Sequence, residues 1–225
     1  MTTATLAEGS VQRVRSAVVA RNQAPARPAP TVQPRSEADE DQALMRAAQA
    51  GEPTAFNHVV ERFGVRMLRF LECFVGDRAR ARDLAQESFL RLHGCFRGHE
   101  NQRDGNGVSL LYTIAANLGR DELRRRKARR ETSLQAAAVV SITESESRLE
   151  RDERQEQVMR SLAELDDDAR LLLVMREIQD MSYDEIAAIQ QVAIGTIKSR
   201  ISRARLAFRD IWCRHQRANG DRSPS

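Results

Sequence analysis

Apolar residues along this 225-residue chain recur every three or four positions in two long stretches, and no run alternates apolar and polar residues as a strand would. The first stretch runs from Ala38 to Arg130. Phe56, Val59, Val60, Phe63, Met67, Leu68, Phe70, Leu71 and Phe74 share one helical face. Pro53 suits the first position of that helix. Gly76 can end it, and Asp77 can cap the next. That next helix turns Ala81, Leu84, Ala85, Phe89 and Leu92 to one side. Residues 94–108 carry four glycines and read as a loop. A further helix from about Ser109 turns Leu111, Ile114, Ala115, Leu118 and Leu123 inward and ends in arginines.

The second stretch begins near Arg154. Val158, Leu162 and Leu165 share a face, and Asp166 can cap a helix holding Leu172, Leu173, Met175 and Ile178. Ser182 and Glu185 have capping-box spacing: the serine accepts from a backbone amide while the glutamate reaches back. They open a short helix with Ile186, Ala187 and Ile189. After a turn at 190–192, a longer helix to about Trp212 places Ile197, Ile201, Ala204 and Phe208 on one face.

Between and around these stretches the period fades. Residues 24–34 hold four of the six prolines, which prevents helix and favours a solvated tether. The expectation is an all-α protein of two small helical domains joined by a flexible linker, the second ending in a helix-turn-helix. Residues 1–37 form a disordered extension, 38–130 the first domain, 131–153 an acidic linker, 154–216 the second domain and 217–225 a flexible tail. The hydrophobic content of 41% can fill two cores.

Net charge is only +4, so its distribution matters more than its sum. Residues 120–130 carry seven bases against two acids, residues 131–156 seven acids against three bases, and residues 195–217 seven Lys and Arg against Asp210 alone. Two basic blocks flank an acidic connector. Such a run is ordinarily a solvated face; placed on a helix-turn-helix it fits a polyanionic partner. In that motif the second helix enters the major groove. Lys198, Ser199, Ser202 and Arg203 are the candidate base readers, and Arg200 and Arg205 the candidate phosphate anchors.

Other chemistry is thin. Three scattered cysteines do not make a disulfide framework. His93, Cys95, His99 and Cys73 match no zinc spacing, and Cys213 beside Trp212 reads as a buried small hydrophobe. No nucleophile–base pair, phosphate-binding glycine loop or paired carboxylate stands out. No catalytic residue, metal or cofactor is expected, and no run is long and apolar enough to span a membrane.

The segment from Met181 to Ala187, followed by Ile194 to Arg205 with its run GTIKSRISRAR, resembles the fourth conserved region of extracytoplasmic-function sigma factors of bacterial RNA polymerase. The resemblance implies that this domain binds the −35 promoter element through Lys198, Ser199, Ser202 and Arg203. Asp83 to Leu92 is similar to the family's second region, which implies that Arg82, Asp83, Gln86 and Glu87 dock on the polymerase clamp. Leu110 to Asp121 resembles the helix that opens and reads the −10 element. It implies DNA contacts at Asn117, Arg120 and Asp121, with Arg124, Arg125 and the bases up to Arg130 on phosphates. A leucine, Leu110, stands where the family has tryptophan, and the loop after Gly98 is longer than usual. His99, Glu100, Asn101 and Gln102 are its candidate base contacts.

The function so implied is promoter-specific initiation by a cytoplasmic, non-enzymatic subunit. Core RNA polymerase and promoter DNA are its partners, an anti-sigma factor is a further one, and DNA opens without nucleotide hydrolysis. The competing reading is a stand-alone helix-turn-helix regulator.

Overall fold

The structure, a computed structural model, describes residues 37–98, 106–132 and 149–220. The expected extension up to residue 36, the middle of the expected linker, the tail from residue 221 and the loop candidates His99, Glu100, Asn101 and Gln102 lie outside the described residues. The elements that are described are all helical, and they build two compact units.

The first unit comprises α1 (Glu37–Gln49), α2 (Ala55–Val75), α3 (Arg78–Arg97) and α4 (Gly107–Thr132). Gly76 ends α2 in the left-handed region at φ 73°, its N–H bonded to the Glu72 carbonyl, and Asp77 caps α3 by accepting from the Arg80 amide at 3.0 Å. Phe63, Met67, Phe70, Leu71, Phe74, Leu92, Leu111 and Tyr112 are wholly buried, and the Phe70 and Tyr112 rings meet edge to face at 5.3 Å. At Gly119 a Cβ would lie 2.6 Å from the Phe74 ring, so only glycine lets α4 approach α2 this closely.

Buried carboxylates fasten these helices. Asp41 of α1 accepts from Arg62 at 2.8 Å and Arg66 at 2.7 Å, both on α2. Glu122 of α4 accepts from Arg80 at 2.8 Å and Arg126 at 3.0 Å, and Arg126 donates onward to Asp77 and to the Val75 carbonyl. The two hydrogen-bonded guanidiniums outweigh the cost of burial and hold the Glu122 carboxyl below its ordinary range, the Arg80 bond contributing most.

In this unit the structure differs from the sequence reading at three ends. Helix α3 runs through Gly94 to Arg97, because Phe56 packs on His93 and Phe96 at 4.7 and 6.4 Å and keeps that last turn wound. Helix α4 starts at Gly107, where Asn106 caps it by accepting from the Val108 amide. Pro53 stands ahead of Thr54, the residue that precedes α2, and so lies outside the helix.

The second unit comprises α5 (Leu149–Ala163), α6 (Asp167–Leu173), a π turn over Val174–Ile178 that continues α6, α7 (Tyr183–Gln190) and α8 (Ile194–Gly220). Asp166 accepts from the Ala169 amide at 2.9 Å. The capping box is complete: the Glu185 amide donates to Ser182 Oγ, and the Ser182 amide donates to the Glu185 carboxylate. Val158, Leu162, Leu165, Leu173, Ala204, Phe208, Ile211 and Trp212 form the core. Arg170, 7% exposed, donates to the Leu162, Ala163 and Leu165 carbonyls and so closes the end of α5.

Helix α8 passes well beyond Trp212. Its last turns zip onto α5: His215 meets Ser161 and Glu164, Arg214 pairs with Glu164 at 3.4 Å, and Gln216 donates to Gln157. On this segment Cys213 is exposed rather than buried. The zip faces His215 to α5 and turns its neighbour two residues back to solvent.

Candidate nucleic-acid and polymerase interfaces

The turn before α8 fixes where its first residues lie. Gln191 adopts the left-handed conformation at φ 53°, and the Val192 amide reaches back to the Ala187 carbonyl at 3.2 Å, which closes α7. From Ile194 the helix buries Ile197, Ile201, Ala204 and Phe208 to 2% exposure or less. With 3.6 residues per turn, that seam leaves Lys198, Ser199, Arg200, Ser202 and Arg203 in solvent, as their exposure shows. Ser199 Oγ donates to the Thr196 carbonyl at 2.9 Å, and Arg203 Nε lies 3.4 Å from the Ser199 carbonyl. Arg205 is placed differently: its half-buried guanidinium grips Glu177 of the π turn at 2.7 Å.

On α4 the same logic separates the arginines. Asn117, Asp121, Arg124 and Arg125 are exposed, with Arg124 3.4 Å from Asp121, whereas Arg120 is half-buried. Arg126 belongs to the Glu122 cluster and not to the solvent-facing set expected for phosphates.

On α3, Leu84, Ala85, Ser88 and Phe89 turn inward and Arg82, Asp83, Gln86 and Glu87 outward. Asp83 is paired with Arg80 at 3.4 Å and Glu87 with Arg91 at 2.7 Å. The sequence reading missed Leu90, which is 68% exposed on this polar side. Its position seven residues after Asp83 was the signal.

Cys73 is buried in α2, and burial pushes its thiol up to about 12, so it stays protonated and inert. Among the described residues no group of three His, Cys, Asp or Glu could hold a metal ion, and no helix is long and apolar enough to cross a membrane.

Two family models match in chain order. Sigma-70 region 2 covers residues 59–129, and sigma-70 region 4 covers residues 155–208. The two helical units are therefore those of a sigma-70-type subunit, a DNA-recognition component of bacterial transcription. The chain is 33% identical over 183 residues to the RNA polymerase sigma-H factor of Pseudomonas aeruginosa, covering 76% of this chain and 92% of that one. It is 32% identical over 183 residues to the ECF RNA polymerase sigma-E factor of Salmonella typhimurium, covering 75% and 92%. Among solved structures, CnrH in complex with the cytosolic domain of CnrY is similar at a TM-score of 0.56 and 25% identity, covering 76% of this chain and 95% of that one. The chain belongs to the extracytoplasmic-function (ECF) family of RNA polymerase sigma factors and directs promoter-specific transcription. The stand-alone regulator is disfavoured, because it leaves the region 2 match without a purpose.

Proposed function

We propose that the chain reads the −35 element with Lys198, Ser199, Ser202 and Arg203 while Arg200 anchors phosphates. The −10 element is opened and read by Asn117, Arg120 and Asp121, with Arg124 and Arg125 on the backbone. Arg82, Asp83, Gln86 and Glu87 dock on the clamp of core polymerase. The work is done in the cytoplasm, and no nucleotide is hydrolysed. An anti-sigma factor masks the chain until it is released, a protein partner as CnrH has in the cytosolic domain of CnrY.

One observation carries this reading: the exposed polar positions of α8 lie directly opposite a seam buried to 2% or less, so the helix can enter a groove without opening the core. Arginine and lysine pair with guanine acceptors, and serine with several base edges. The test is run-off transcription with core polymerase on a promoter series mutated base by base. Arg203→Ala or Lys198→Ala is expected to cost about 1–3 kcal/mol at its own base pair and to relax preference there. Unchanged preference at every −35 position would remove these residues from the reading set. On the clamp side, the Asp83→Lys/Glu87→Lys pair should keep its helical signal yet lose polymerase, since a reversed charge meets like charge at the contact. Normal transcription by that pair would reduce the α3 stripe to solvated surface.

A further inference from the structure

Arg205 sits on the flank of α8, seven residues after Lys198 and so on nearly the same side of the helix. Its guanidinium is already engaged. Glu177 Oε1 accepts from Arg205 Nε at 3.0 Å and from Nη2 at 2.7 Å, with side-chain exposures of only 27% for the arginine and 12% for the glutamate. Burial works against the charge on Arg205, but the hydrogen bonds and field of Glu177, with help from Tyr183, more than restore it. The pair thus ties α8 to the π turn, and Tyr183, the first residue of α7, joins the same cluster. Arg176 also packs on Tyr183. It lies 5.0 Å from the ring centroid and donates to the Met181 carbonyl at 2.7 Å.

The π turn is what brings Glu177 to this place. The Gln179 amide bonds five residues back, to the Val174 carbonyl. One extra residue in a helical turn rotates the following side chains by about 100° relative to a regular helix.

We propose that Glu177 is a positioning residue for promoter reading: it withholds Arg205 from the DNA backbone and fixes the rotation of α8 about its axis, which selects the side chains that meet base edges. This deepens the assignment of α8 to the −35 element and rests on it. Releasing Arg205 has two consequences of opposite kind. The helix loses its rotational stop, which blurs discrimination, and the surface gains a phosphate-seeking cation, which strengthens binding to any sequence.

The experiment uses the full chain and measures fluorescence anisotropy on a −35 duplex and a scrambled duplex of equal length over a salt series. With Glu177→Gln, preference for the −35 duplex is expected to fall on the order of tenfold, the loss of one aligned base contact. The scrambled duplex should bind more tightly, with a log–log salt slope steeper by about one. The charge-swapped pair, Glu177→Arg with Arg205→Glu, should recover preference without the steeper slope. Wild-type preference and wild-type slope in a folded Glu177→Gln protein would overturn the proposal. If Glu177→Gln does not fold, the swapped pair decides: a folded swap that discriminates as wild type supports the proposal, and a folded swap that does not discriminate, or a swap that cannot fold, overturns it. The wild-type arm stands apart from these. No preference there would sink the −35 reading itself, whatever the variants do.

Discussion

The most deeply buried charged side chains of the two units have opposite signs. In the first, the buried groups are acids, Asp41 at 5% and Glu122 at 2% exposure, each gripped by two arginines from the rim. In the second, the buried group is a base, Arg170, whose partners are backbone carbonyls. The difference teaches where each unit is vulnerable. A carboxylate anchor can be discharged by acid, whereas a guanidinium keeps its proton across the workable pH range and loses its grip only if the side chain is removed.

The largest effect is expected at Arg170. Arg170→Met leaves the carbonyls that end α5 without their donor inside the fold and should cost about 3 kcal/mol. The loss should register in the fluorescence of Trp212, the only tryptophan of the chain and a member of the second core. Next comes Glu122→Gln, at about 2 kcal/mol, because one hydrogen-bonded charge is lost while Arg80 can turn to water. Its signature should be pH dependence. The folded-state pKa of Glu122 lies below its unfolded value of about 4.3, so its contribution is complete above that value and fades as pH falls toward the lowered one. Acid titration of the wild type should therefore reduce helical circular dichroism before Trp212 emission shifts. Coincident transitions would break the contrast between the units. Glu122→Gln should narrow the gap between the two signals.

A smaller cost, about 1–2 kcal/mol, is expected for Gly119→Ala. The gain in helix propensity is outweighed by a methyl set 2.6 Å from the Phe74 ring. Thermal melting of Gly119→Ala checks it, and no loss would show that α2 and α4 can part without penalty. The smallest effect has the opposite sign. Gln191→Gly should stabilise the fold by about 0.5–1 kcal/mol, since the turn asks for φ 53° and glycine adopts it without strain. A drop in melting temperature would mean that the Gln191 side chain contributes more than its backbone strain removes.

Local chemistry was legible in the sequence, and distant chemistry was not. Asp77, Asp166 and the Ser182–Glu185 box act within three residues of themselves, and the spacing alone located them. The seam of α8 could be read from its period. The Arg80–Glu122 bond joins residues 42 apart and Arg205–Glu177 residues 28 apart. No pattern in a single chain marks which of many arginines folds inward, so Arg126 and Arg205 were grouped with their exposed neighbours. The same blindness placed the end of α8 near Trp212. What carries it to Gly220 is the contact of His215 and Gln216 with α5 and of Arg214 with Glu164 just beyond it, fifty or more residues upstream. The π turn left no trace in apolar spacing, because Leu172, Leu173 and Met175 are buried on either side of its start.

Helix α8, with its 27 residues, is a rod about 40 Å long. Its first turns carry the proposed base readers and its last turns are held against α5, so it forms a lever with Phe208 near the fulcrum. Lys198 lies ten residues from Phe208, an arm of about 15 Å. A contact that must be placed to within about 0.5 Å then tolerates a tilt of only about 2°. Ile197 and Ile201 brace the tip, and Trp212 and His215 brace the far end. A partner gripping the exposed side of the shank around Cys213, five residues from Phe208, would hold the short arm of this lever and, under the −35 reading proposed above, move the tip about twice as far as it moves itself without touching DNA.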